Sequence, residues 1–137
     1  MLKEIMVLSA GASVGATARW QLGLWLNSGV PQSLPWGTWT ANALGAYLIG
    51  FGVTLLQNHP HLDPAWRLLL ITGFLGALTT FSTFSVETVS LMALNKWGMA
   101  LSNVGINVLG SLLLTWLGLL SGEWWVEHRS WLPPSAN

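Results

Sequence analysis

Every residue from Thr79 to Ser85 carries a hydroxyl except Phe81 and Phe84. A hydroxyl can donate to an anion without adding a countercharge. An aromatic ring has a positive edge, so two phenylalanines three residues apart can solvate a small anion weakly with their rims. Weak binding suits a conduction path, where an ion must leave as readily as it enters. Just upstream, Gly73 and Gly76 lower helix propensity, and the β-branched pair Thr79 and Thr80 adds little. Main-chain carbonyls released there would need partners, and a hard cation such as sodium takes oxygen ligands. The alternative is an intact helix whose hydroxyls bond back to the preceding turn.

Other polar residues recur at helical spacing. Thr38 and Asn42 are four apart, and Asn103, Asn107, Ser111 and Thr115 form a longer stripe of the same spacing. Such stripes face a bundle interior or a watery path; the plain alternative is hydrogen bonding between helices. Arg19 is the one basic residue away from the ends of an apolar segment, so it must snorkel, pair or face water. As a vestibule charge it would attract anions. Glu87 would pair with it or border the path.

The elements that must position these groups are membrane helices. Asp, Glu, Lys and Arg make up 7% of the 137 residues, against roughly 25% in soluble domains, and ten residues are tryptophan. A spanning helix needs about 20 mostly apolar residues. Four segments meet that length, at about 4–26, 37–57, 66–94 and 97–121. The breaks read NSGVPQSLPWG, QNHPHLDPAWR and NKWG, with Trp25, Trp36, Trp66, Trp97, Trp124 and Trp125 near the boundaries. The predicted fold is therefore an all-α membrane protein, one four-helix domain over residues 1–137. A continuous helix over 64–94 would run about 45 Å, longer than the roughly 30 Å hydrocarbon core. A break midway, near Thr79, is the expectation.

Charge bias is small: Lys3, Arg67 and Arg129 on one side, Lys96 and at most Arg19 on the other. Either another factor sets orientation, or the chain inserts both ways and pairs with an inverted copy. An inverted pair shares an axis in the membrane plane, so a break at Thr79 would meet its own copy there. Two carbonyls from each chain would then make a four-oxygen site. Small residues at spacing four (Gly11 and Gly15, Ala41 and Gly45, Ala46 and Gly50) predict close helix contact. GASVG at 11–15 matches a hydrolase nucleophile pattern but lacks its strand–turn–helix context, and HPHLD at 59–63 reads as a solvated turn. Nothing else suggests an enzyme. With no cysteine, disulfides are excluded.

GFLGALTTFSTFS, PWGTWTANALGAYLIG and GASVGATARW closely resemble the signature segments of the Fluc (CrcB-type) fluoride channels. The resemblance covers essentially all four spans. It implies a bacterial inner-membrane protein that passively exports fluoride as an antiparallel, dual-topology homodimer with two pores. It also implies a structural sodium ion at the dimer centre, held by backbone oxygens that match Gly76 and Thr79. The phenylalanine pair matches Phe81 and Phe84, the pore asparagine Asn42, the third-helix polar track Ser82 and Thr83, the fourth-helix serine Ser111 and the first-helix arginine Arg19. Many members carry tyrosine where Asn107 aligns. The Trp-rich stretch after Ser121 lies outside the motif.

Two rivals are weighed. A four-helix drug/proton antiporter needs a carboxylate deep in its first span, yet positions 5–26 hold no acid and Glu4 sits at the edge. A structural subunit of a membrane complex would explain the small-residue faces but neither the glycine–threonine segment nor the polar stripe.

Overall fold

The computed structural model describes residues 1–27 and 34–129; the first predicted break falls largely outside them, as do residues 130–137. Among the described residues there is no strand. The elements are α1 (Leu2–Leu26), α2 (Trp36–Gln57), a composite α3 over residues 65–78, α4 (Phe81–Ala93) and α5 (Trp97–Arg129). Within α3, a short turn, Ala65–Arg67, leads into a π-helical stretch, Leu68–Leu75, and a last α turn, Gly76–Leu78. Three segments are long and apolar enough to cross a membrane: Trp36–Gln57, Ala65–Ala93 counted through its two non-helical residues, and Trp97–His128. Helix α1 has the length, with 25 residues, but Arg19, Gln21 and its many small residues lower its hydropathy.

The third segment loses its helix at Thr79 and Thr80. Thr79 has ψ 155°, and Thr80 has φ −152° and ψ 122°, both extended. Thr79 Oγ1 does bond back to the Leu75 carbonyl at 2.9 Å, the local habit of hydroxyl residues in apolar helices. That bond coexists with the extended backbone. Helix α4 then restarts with Thr80 as its cap, the side chain accepting from the Thr83 N–H at 3.2 Å.

The fourth span runs past the expected end at residue 121 to Arg129. No proline follows Ser121 until Pro133, and the intervening Glu and Trp residues continue a helix readily. At 33 residues it is about 50 Å long, so its Trp124–His128 end projects beyond a bilayer core.

Packing is by pairs. Helix α1 lies along α3, and α2 lies along α5. The small residues do what their spacing predicts. A Cβ at Gly11 would meet the Leu69 carbonyl, and one at Gly15 the Phe74 carbonyl. The α2–α5 contact is reciprocal: Gly50 abuts the Thr115 carbonyl, while Gly118 abuts the Tyr47 carbonyl. Ala41, Leu75 and Leu78 form the buried core between the two pairs. Outside it, Leu101, Leu109, Leu112, Leu113, Trp116 and Trp124 stand exposed, which suits lipid and would be a large liability in water.

Two loops give local predictions. Asn95 has φ 59° in the α4–α5 turn, a conformation asparagine tolerates and β-branched residues do not. Asn95→Val is expected to lower stability by about 1–2 kcal/mol, while Asn95→Gly is expected to be silent, both read from unfolding in detergent. In the α2–α3 loop, Asp63 accepts from the Ala65 N–H at 2.9 Å and from Lys3 Nζ at 3.0 Å. The Ala65 amide first, then Lys3, holds its carboxyl below the usual aspartate range. A depressed folded pKa contributes stability that is present above the unfolded value and lost as pH falls through the folded one. Lys3→Ala should therefore lower the melting temperature slightly at pH 7, and the difference from the parent should shrink as pH falls through the lowered Asp63 pKa.

Candidate functional site

The extended pair Thr79–Thr80 is held open by a side chain from another helix. Asn42 on α2 presents its whole carboxamide to the Thr80 backbone. Its Oδ1 accepts from the Thr80 N–H at 2.7 Å, and its Nδ2 donates to the Thr80 carbonyl at 3.1 Å. In a continuous α-helix the Thr80 N–H would close on the Gly76 carbonyl, and the Thr83 N–H on the Thr79 carbonyl. Here the first goes to Asn42 and the second to Thr80 Oγ1. The carbonyls of Gly76 and Thr79 are thereby released from helical bonding. Gly45 makes room for this geometry, since a Cβ there would overlap Thr79 Cγ2. One residue earlier than Leu78, the Ala77 carbonyl accepts from Arg19 Nε at 3.0 Å, so α1 also grips the end of α3.

Two cavities meet at Thr80. The first, about 370 Å³, is lined by Asn42, Thr79, Phe81, Phe84, Asn107 and Ser111, with Ala46, Thr80, Val108, Leu112 and Thr115 completing it. It opens on the outside of the molecule. Phe84 is buried at 7% exposure while Phe81 is 77% exposed, and their rings lie 5.4 Å apart, tilted by 58°. The second cavity, about 340 Å³, is lined by Arg19, Thr38, Thr80, Thr83 and Glu87 together with Ala16, Trp20, Gly23 and Leu24 of α1 and Asn27 just past its end. Here Thr38 Oγ1 donates to Glu87 Oε1 at 2.6 Å, and the buried Glu87 Oε2 has no partner. No ion pair joins Arg19 to Glu87; they share the cavity while Arg19 serves Ala77 and Glu87 serves Thr38.

The structure thus sorts the candidate residues. Asn42, Thr79, Phe81, Phe84, Asn107 and Ser111 gather at one cavity; Arg19, Thr38, Thr83 and Glu87 at the other. Ser82 lines neither: it is exposed, with its Oγ 3.4 Å from Thr80 Oγ1. Gly76 contributes only its main chain. The α5 stripe divides. Ser111 and Thr115 face the first cavity, whereas Asn103 is buried at 2% exposure and lines neither cavity. Asn107 does both: it touches the cavity and accepts from Asn42 Nδ2 at 2.9 Å. The sequence reading did not single out Thr80, the residue common to both cavities. Its signal was available, a threonine immediately ahead of a helix restart. Glu4, the one acid of α1, pairs with the N-terminal ammonium at 3.0 Å on the surface.

Comparison with known proteins points one way. A family model described as "CrcB-like protein, Camphor Resistance (CrcB)" matches residues 6–119. A protein of Paracidovorax citrulli named fluoride-specific ion channel FluC is 47% identical over 128 residues, 93% of this chain and 100% of the relative. Proteins with the same name from Variovorax paradoxus and Pseudomonas aeruginosa are 50% and 49% identical, covering 88% and 90% of this chain and 95% and 97% of their own. The matched region contains every residue that lines the two cavities, and on that evidence the chain belongs to the CrcB family.

Proposed function

We propose that this protein is a passive, fluoride-selective channel of the bacterial inner membrane and not an enzyme. The observation that carries the reading is the first cavity, where Phe81 and Phe84 stand beside Asn42, Asn107 and Ser111 with no formal charge among them, in a chain whose relatives are named fluoride channels. The ion enters the second cavity, drawn by Arg19, and trades water for the hydroxyl of Thr83, which accepts from Thr80 Oγ1 and keeps its own proton to donate. It then passes the phenylalanine rims toward Ser111. Ring edges and hydroxyls attract a small, strongly hydrated anion without trapping it, as a conducting site requires.

The working unit is an antiparallel homodimer of dual topology. Phe81 and the open mouth of the first cavity need a cover that a lipid tail, lacking shape, does not give; an inverted copy brings a matching surface about an axis near Thr79, at the midplane of a third span broken there. The released carbonyls of Gly76 and Thr79 suit a sodium ion, being neutral oxygen donors with their helical partners diverted. A bound cation there would supply positive charge at the dimer centre and tie the copies together. The deciding experiment is efflux from liposomes loaded with fluoride or chloride. Fluoride release with chloride retained is expected. No fluoride flux, or equal chloride flux, removes the reading.

A further inference from the structure

We propose that Asn103, which touches neither cavity, is a positioning residue that sets the polarity of the pore asparagines and so holds the Thr79–Thr80 segment extended; this rests on the channel reading above. The residue is 2% exposed, and every polar atom of its carboxamide is engaged. Asn103 Nδ2 donates to Thr88 Oγ1 at 2.9 Å, and its Oδ1 accepts from Asn107 Nδ2 at 2.9 Å. Asn107 Nδ2 also reaches the Asn103 carbonyl at 3.0 Å.

The direction of this relay follows from its ends. Thr88 Oγ1 bonds the Phe84 carbonyl at 2.8 Å, and a carbonyl only accepts. The one Thr88 proton is therefore committed, and the hydroxyl must receive a donor from Asn103. That turns Asn103 Oδ1 toward Asn107, which turns Asn107 Oδ1 toward Asn42 and leaves Asn42 Nδ2 as the donor between them. At the other end the Thr80 N–H only donates, so it requires Asn42 Oδ1. Both ends demand the same orientation. The chain of bonds runs without conflict from the Thr80 backbone on one side of the first cavity to the carbonyl of Phe84 on the other. A flipped carboxamide anywhere would set donor against donor at a buried site, which costs roughly 1–3 kcal/mol per unsatisfied group. Bonds in such chains also reinforce one another. Asn103 is the link that joins α4 to α5; without its side chain the Thr88 end of the relay is lost, and Asn107 and Asn42 are oriented only by the Asn103 carbonyl and the Thr80 backbone.

The test uses the full chain with Asn103→Leu, Thr88→Val and Thr88→Ser. The valine keeps threonine's shape and removes the hydroxyl; the serine keeps the hydroxyl and removes a methyl. Two quantities are read on dimeric protein: fluoride efflux from liposomes, and amide hydrogen exchange over residues 79–84. Asn103→Leu and Thr88→Val are expected to slow efflux at least about 10-fold and to speed exchange at least about 10-fold. Thr88→Ser is expected to stay within about twofold in both. The proposal is overturned if either readout fails to move in the first two variants, or if Thr88→Ser is as defective as Thr88→Val, which would make packing the cause. Should Asn103→Leu fail to assemble, the Thr88 pair decides alone. Should the parent itself not conduct, the channel reading fails, while the exchange comparison still decides the relay.

Discussion

Asn42→Leu is expected to cut fluoride efflux by about 100-fold or more while leaving the protein in the membrane. Leucine branches at Cγ as asparagine does, but carries two methyls and no hydrogen-bonding atom. It leaves two groups without partners, the Thr80 N–H and Asn107 Oδ1, and takes one of two donors from the Thr80 carbonyl, which as the cap of α4 also accepts the first helical bond. Each such loss costs roughly 1–3 kcal/mol where the group is shielded from water, and 1.4 kcal/mol is a factor of ten. Asn42 is half-buried, so the lower half of that range applies. The freed Thr80 N–H also becomes available to the Gly76 carbonyl, and closing that helical bond would withdraw one of the released oxygens. In the proposed sodium-bridged dimer, loss of flux should accordingly come with weaker self-association. Thr80→Val offers a graded comparison. It keeps the backbone bonds to Asn42 and removes the cap on the Thr83 N–H, worth about 1 kcal/mol, together with the Thr80 hydroxyl's bond to Thr83 Oγ1, so a reduction nearer 5-fold is expected. Efflux of Asn42→Leu within about threefold of the parent would mean that this carboxamide holds nothing the ion depends on.

The second large effect concerns assembly of the helix pairs. Gly50→Val is expected to destabilise the protein by about 3 kcal/mol or more and to remove most of the folded population. Its Cβ would run into the main-chain carbonyl of Thr115, and Leu119 N lies next, 2.9 Å from the same point. Main chain cannot escape by changing rotamer, so α2 and α5 must separate and give up contacts along their length. Overpacking typically costs 1–3 kcal/mol where side chains can yield; here they cannot. Since Gly118 meets Tyr47 in the mirror arrangement, Gly118→Val should behave alike, and the double variant should lose less than the sum because one separation relieves both clashes. Gly98→Ala is the control. Nothing lies within 4 Å of its Cβ position, and alanine favours the helix by about 1 kcal/mol. Unfolding of the purified protein in detergent reads all four; a Gly50→Val protein as stable as the parent would deny that the two backbones touch.

Much of this molecule was legible without coordinates. Sparse charge and segments of about 20 apolar residues leave little choice but membrane helices, because lipid offers the backbone no partner outside itself. The small residues at spacing four announced the close pairs, since only they let two backbones approach. The 73–85 segment announced a departure from regular helix, because its glycines, β-branched residues and hydroxyls all weaken the same stretch. What single positions could not show was which oxygen goes where. Asn42 and Thr80 are 38 residues apart, and no periodicity links them; their meeting depends on how α2 crosses α3. The α5 stripe looked uniform at spacing four, yet a helix rotating past two neighbours buries Asn103 and opens Ser111 to a cavity. Helix periodicity lies in the chain itself, whereas the partner of each polar group is chosen by the distance between helices, and that distance is a property of the packed whole.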